Sequence, residues 1–192
     1  DIWDIMTLID SNPKLKIGEN APHFTLKGVD REMHSLNELR GANASLIIFM
    51  CNHCPYVKAK LETIKILTSK YSDKGLAVIG INPNESDNHP EDSYENMVRI
   101  ARRKEFRFHY LRDATQDIAK AYGAVCTPDP FLFDKDLKLV YHGRLDNALS
   151  PDQIPTRHDM NATIKALLSD EKINNTFLPS RGCSIKWKHR LI

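Results

Sequence analysis

Cys51-Asn52-His53-Cys54 places two thiols three residues apart, and of all the side chains in this sequence these are the best suited to chemistry. A thiolate attacks a disulfide sulfur or a peroxide, and a second thiol within reach then closes an intramolecular disulfide. The pair directly follows the apolar run Leu46-Ile47-Ile48-Phe49-Met50 and precedes Pro55 and a helical pattern. It is therefore expected where a buried strand gives way to a helix N-terminus, whose dipole and unpaired N–H groups favour a thiolate. Pro55 can open that helix at no loss of a useful donor, which leaves Cys51 at or before its end and Cys54 in its first turn. Cys51 is expected to be the exposed nucleophile and Cys54 the more buried resolving thiol. His53 lies between them, and an imidazolium there would favour the Cys51 thiolate; a solvent-exposed histidine without that effect is the alternative.

Metal binding is the competing chemistry. Zinc normally takes a second pair of ligands at similar spacing, whereas Cys126 and Cys183 are isolated in sequence. A copper or zinc carrier using Cys51, Cys54 and a histidine stays a minor alternative, as does an interaction module with sluggish thiols. No metal and no organic cofactor is expected. Cys126 and Cys183 are candidate additional redox thiols: Cys126 as a third thiol or a small buried hydrophobe, Cys183 as a resolving thiol that folds back from a tail or as half of a structural bridge. Thr127-Pro128 precedes the strand pattern Phe131-Leu132-Phe133. A cis peptide there would turn the Thr127 backbone outward to pair with an extended substrate, so Thr127 and Pro128 are the candidate substrate-binding residues. The polar loop from Asn82 to Ser93 follows a sheet strand; its Asp92 or Ser93 is read as the cap of the next helix, and its Glu85, Asp87, His89 and Glu91 as a weaker candidate cation set.

The elements that must position these groups alternate strand and helix. Strands are expected near residues 22–26, 33–34, 45–50, 76–81 and 109–111, with a hairpin of 131–133 and 139–145 around Asp134-Lys135-Asp136. Helices are expected over 36–39, 55–72, from about 93, over 115–122 with closure at Gly123, and over 159–169. Ile2, Trp3, Ile5, Met6, Leu8 and Ile9 suggest a short amphipathic helix within residues 1–16. The fold class is α/β, a mixed central sheet flanked by helices. Three parts are expected: an N-terminal extension over 1–16, a domain over 17–170 and a C-terminal tail over 171–192.

A chain of 192 residues can bury a core without staples, and four cysteines are too few for a disulfide scaffold. The 27 basic and 25 acidic residues leave a formal charge of +2, which provides no strong field for nucleic acid or an anionic membrane. No apolar run is long enough to span a bilayer. A cytoplasmic location is expected, with a periplasmic or exported one the alternative if an upstream signal segment was removed.

Gly18-Glu19-Asn20-Ala21-Pro22-His23-Phe24-Thr25-Leu26 and Ser35-Leu36-Asn37-Glu38-Leu39-Arg40-Gly41 resemble the start of redoxin domains of the thioredoxin superfamily. Residues 49–57, Gly80-Ile81-Asn82-Pro83-Asn84, Pro90-Glu91-Asp92-Ser93, Cys126-Thr127-Pro128-Asp129 and Gly182-Cys183-Ser184-Ile185-Lys186-Trp187-Lys188 resemble the peroxiredoxin-like (AhpC/TSA redoxin) proteins with a CxxC motif. The resemblance runs from about Lys16 to Lys188. It implies a thioredoxin fold with Cys51 and Cys54 as the redox pair and Pro128 in the cis-proline position. Cys54-Pro55 falls where peroxiredoxins carry their peroxidatic cysteine, but Cys51 stands in place of their threonine and Pro128 in place of their arginine. The expected function is accordingly thiol-disulfide exchange with a protein or small-molecule disulfide, served by a thiol reductant. The alternative is a peroxidase in which Cys54 is peroxidatic and Cys51 resolves.

Overall fold

Alternation of apolar side chains along one buried strand sets the layering. In β4 (Ala44–Phe49) every residue is buried. Leu46 and Ile48 join one core cluster, while Ile47 and Phe49 join another, as the twofold side-chain period of a strand requires when both sheet faces are covered. The structure, a computed structural model, describes residues 7–189.

Around β4 an eight-stranded mixed sheet runs in the order β10-β9-β8-β4-β5-β6-β2-β3. Its strands are β2 (Thr25–Gly28), β3 (Met33–Ser35), β5 (Leu76–Asn82), β6 (His109–Arg112), β8 (Asp129–Asp134), β9 (Leu139–Gly143) and β10 (Phe177–Leu178). β4 pairs parallel with β5 and antiparallel with β8, with Phe49 opposite Asp129. The register brings the end of β4 beside the start of β8, and so brings the thiols beside Pro128. One face is covered by α3 (Leu61–Tyr71), α4 (Tyr94–Arg103) and α6 (Asp159–Leu168) through Ile64, Met97 and Ile164; the other by α1 (Leu36–Leu39) and α5 (Asp117–Tyr122) through Leu36 and Tyr122.

Local sequence explains most boundaries. Ser35 and Glu38 form a reciprocal capping box on α1. Gly123 ends α5 at φ +72°, in the left-handed region where glycine carries no side-chain penalty. The helix expected over 55–72 is two helices, α2 (Pro55–Lys58) and α3, separated at Ala59-Lys60. At that break the Lys60 ammonium donates to Asp146 at 2.5 Å and to the Ala148 carbonyl at 2.8 Å.

A second, three-stranded sheet was not expected. It has the order β1-β11-β7, from β1 (Leu8–Asp10), β11 (Arg181–Ser184) and β7 (Cys126–Thr127). The amphipathic helix expected within residues 1–16 is corrected in part: Leu8–Asp10 is a strand on β11, and residues 1–6 lie outside the described residues. Within this strand Ile9 is half-buried and Leu8 and Asp10 are exposed, the alternation of an edge strand.

Candidate active site

Cys51 follows β4 after Met50, and Cys54 is the residue that caps α2, with its carbonyl accepting from the N–H groups of Val57 and Lys58. Pro55 occupies the first helical position and adds no unpaired donor. The Thr127-Pro128 peptide is cis. Thr127 touches both sulfurs: its Oγ1 lies 3.4 Å from Cys51 Sγ, and its carbonyl accepts from Cys54 Sγ at 3.5 Å. Residues far apart in sequence thus close on one another because β4 and β8 are neighbours.

Cys183 completes the cluster. β11 pairs antiparallel with β7, placing Cys183 opposite Thr127 and Ser184 opposite Cys126. From there the Cys183 thiol is near enough to Cys54 to influence its charge, as is the Cys51 thiol. Cys54 is the central sulfur of the three. None of the four cysteines, all of which lie among the described residues, is in a disulfide.

Protonated, Cys54 donates to the Thr127 carbonyl; once it ionises, the neighbouring thiols favour its negative charge. The Cys183 thiol first, then the Cys51 thiol and the Val57 N–H, hold Cys54 well below the ordinary thiol range against the opposing cost of burial. Donating to Cys54 pushes Cys51 up, and burial and the Asp92 carboxylate push the same way. Cys183 is raised by the same contact with Cys54 and by burial. This corrects the expectation of an exposed Cys51: it is 3% exposed and Cys54 2%. Pairing with β11 buries the very edge from which Cys51 was to act.

His53 is half-exposed, and its Nδ1 faces the Glu91 carboxylate at 3.4 Å. The strongest influences on either sulfur come from other groups. Cys126 is fully buried, with its thiol directed at the Pro128 carbonyl and the Ser180 hydroxyl at 3.8 and 3.9 Å. Burial, reinforced by Asp129, drives Cys126 far up, the setting of an inert packing thiol. The expected substrate edge at Thr127 is occupied by β11.

Sequence reasoning missed the polar scaffold behind Cys51. Ser93 caps α4, whereas Asp92, 1% exposed, turns inward. Its Oδ1 accepts from the Asn52 backbone N–H at 2.6 Å and Asn82 Nδ2 at 3.4 Å; Oδ2 accepts from Asn84 Nδ2 at 2.8 Å. Tyr110 donates to Asn52 Oδ1 at 2.8 Å. Asn84 Oδ1 then accepts from Lys186 N–H, and Gln116 Nε2 donates to the Lys186 carbonyl. One network therefore links the residue between the cysteines to the chain leaving β11. Replacing Asp92 with alanine strands several buried donors at about 1–3 kcal/mol each before relaxation. A loss of roughly 2–4 kcal/mol is expected, read by denaturant unfolding.

The sulfurs do not offer a compact metal set. Among the described residues, the His, Cys, Asp and Glu groups that bring three ligand atoms within 4.8 Å of one another are Asp30, His34 and His109. Glu85 spends one carboxylate oxygen on the N–H groups of Asp87 and Asn88 in its own loop. Beside the motif, a depression of about 300 Å³ is lined by Asn52, His53, Lys58, Arg99 and Arg103 among others.

Comparison with known proteins agrees with this geometry. The family model described as "AhpC/TSA family" matches residues 17–142. Over 127 residues the chain is 27% identical to thiol-disulfide oxidoreductase ResA of Bacillus thuringiensis subsp. konkukian, covering 66% of this chain and 69% of ResA. The crystal structure of an uncharacterized conserved protein from Geobacillus kaustophilus is 41% identical, covers 95% of this chain and 97% of that one, and superposes with a TM-score of 0.90. The thioredoxin domain of a thiol-disulfide oxidoreductase from Bacteroides vulgatus, 18% identical, shares the fold at a TM-score of 0.62 over 80% of this chain and 99% of that domain. The fold is thus the thioredoxin fold expected from the sequence. No helix among the described residues is long and apolar enough to cross a membrane.

Proposed function

The chain belongs to the AhpC/TSA family, and from that premise we propose that it is a thiol-disulfide oxidoreductase working through a Cys51–Cys54 dithiol–disulfide couple. The observation that carries this reading is Thr127 of the cis-proline loop held against both sulfurs, one at the end of a strand and the other at the cap of a helix. The domain spans roughly residues 17–170, with the extension and tail meeting in the second sheet.

In the reducing direction, the proton of Cys51 passes to Cys54 as the Cys51 sulfur attacks the substrate disulfide. A mixed disulfide forms and one substrate thiolate leaves. Cys54 then gives up its proton and attacks Cys51, which releases the second substrate thiolate and leaves Cys51–Cys54 oxidised. A thiol reductant restores the dithiol by the reverse exchange. Thr127 and Pro128 position the substrate chain once β11 gives up the edge. Lys58, Arg99 and Arg103 outnumber Glu91 in the lining of the depression beside His53, a balance that favours disulfides carrying acidic groups.

One observation favours a second reading. Cys54, the sulfur in the peroxidatic position, is the one whose neighbours favour ionisation, and a peroxide is small enough to need less opening than a peptide. Cys54 thiolate would take one oxygen to become a sulfenic acid, and Cys51 would displace water from it to form the same disulfide. Stopped-flow oxidation of the reduced protein by hydrogen peroxide separates the two. Disulfide exchange as the function predicts oxidation no faster than that of a free thiol, while fast oxidation that survives in Cys51→Ser and is lost in Cys54→Ser makes the protein a peroxidase.

A further inference from the structure

β11 lies where an extended substrate would lie. It occupies the free edge of β7, with Cys183 directly opposite Thr127, and is flanked on its other side by β1. Its placement is specific: a Cβ on Gly182 would sit 1.9 Å from the Thr127 carbonyl oxygen, so the two backbones approach this closely only because residue 182 is glycine. The tail is also latched beyond the strand by Lys186, whose N–H and carbonyl are held by Asn84 and by Glu85 and Gln116. Cys183 is thus carried to the Cys51–Cys54 pair by a strand pairing that the small Gly182 permits and by a hydrogen-bonded latch beyond it.

We propose that Cys183 is a third redox thiol of this centre, which exchanges with the Cys51–Cys54 disulfide at the Cys54 sulfur and thereby locks β11 onto the substrate edge. The inference rests on the Cys51–Cys54 couple proposed above. The Cys183 thiolate attacks Cys54, a Cys54–Cys183 bond forms, the Cys51–Cys54 bond breaks, and Cys51 leaves as a thiolate that takes up the proton Cys183 lost. No net electron is transferred, so no further oxidant is needed. The strand pairing sets Cys183 opposite Thr127, whose carbonyl holds the Cys54 sulfur, and the electrostatic interaction of Cys183 with Cys54 points to the same sulfur as the one attacked. The oxidised protein then holds its own strand in place of substrate until a reductant opens the Cys54–Cys183 bond.

Disulfide mapping after reaction of the reduced, full-length protein with one equivalent of glutathione disulfide, quenched in acid and alkylated, tests this. A Cys54–Cys183 peptide pair, with Cys51 alkylated, is expected in the wild type beside Cys51–Cys54. It should be the sole bridge in Cys51→Ser. Gly182→Ala, which forces β11 off Thr127, should lower its yield several-fold while Cys51–Cys54 persists. Absence of the Cys54–Cys183 link from both the wild type and Cys51→Ser overturns the proposal, and so does an undiminished yield in Gly182→Ala. Cys183→Ser separates the two levels: Cys51–Cys54 formed there keeps the oxidoreductase reading whatever Cys183 does, and failure to form it sinks that reading instead.

Discussion

Replacing Cys54 with serine is expected to end disulfide turnover, by ~10³-fold or more, the order lost when a member of the reacting unit is removed. The same change should abolish the thiolate ultraviolet absorbance of the reduced protein at neutral pH, because Cys54 is the sulfur that the thiols of Cys183 and Cys51 hold in the charged form. The pH dependence has a definite sign. A folded pKa below the unfolded value gives stability that is fully present above the unfolded thiol value of about 8.5 and is lost as pH falls toward the lowered folded one. The stability advantage of reduced wild type over Cys54→Ser should therefore peak near about pH 8.5: it shrinks as pH falls, when Cys54 loses its advantage, and also as pH rises, when the unfolded chain ionises Cys51 and Cys183 while contact with Cys54 keeps them protonated in the fold. Thermal melts of the two proteins across this range provide the check. A difference that grows as pH falls below about 8.5 would place the charge elsewhere.

His142→Leu is expected to cost about 3–5 kcal/mol of stability, the penalty for leaving a buried ionisable partner uncompensated. His142 Nε2 lies 2.6 Å from Asp129 Oδ1, and neither side chain is more than 1% exposed. The imidazole also stacks on Phe131, centroids 4.0 Å apart. Burial pushes the Asp129 carboxyl up, and His142 opposes that rise. Asp129 follows the cis proline and pairs with Phe49 at the end of β4, so the pair braces the loop that touches the Cys51 and Cys54 sulfurs. Its other polar atoms, Asp129 Oδ2 and His142 Nδ1, have no hydrogen-bond partner among the described residues, which leaves the mutual contact as the main compensation. At roughly 2–4 °C per kcal/mol for a chain of this size, the melting temperature should fall by about 6–20 °C. The double variant Asp129→Leu with His142→Leu should recover much of the loss, since apolar replacement of a buried pair is often neutral. Equal losses in the single and double variants would show that the pair is not what braces the loop.

The parts of this molecule that are legible in the sequence are those governed by local pattern. The all-apolar run before Cys51, the proline after Cys54, the Ser35–Glu38 box and the terminating Gly123 each act within a few residues. Cys51 and Cys54 could therefore be picked out from local pattern, and the resemblance to thioredoxin-superfamily proteins joined the Thr127-Pro128 bend to them. β11 could not: it is four residues long, it contains Gly182, and it is a strand because the edge of β7 is open to it. Asp92 was hidden for a similar reason. Two residues before a helix and next to its cap Ser93, an aspartate reads as a capping candidate, and only the packing of Asn52, Asn82 and Asn84 around it reveals a buried acceptor. Cys183 looked isolated because its neighbours, Cys54 and Thr127, lie far back along the chain. The exposure expected of Cys51 failed with it, since what buries the site is the strand that sequence periodicity did not predict.

The most direct test of the Cys51–Cys54 couple is a single-turnover reaction of the reduced protein with one equivalent of 5,5′-dithiobis(2-nitrobenzoate), followed by release of thionitrobenzoate and intact mass. Two thionitrobenzoates per protein are predicted for the wild type, with no adduct retained; Cys54→Ser should release one and keep the other as a mixed disulfide mapped to Cys51. A stable adduct on the wild type, or a Cys54→Ser protein whose Cys51 stays unmodified, would contradict the account.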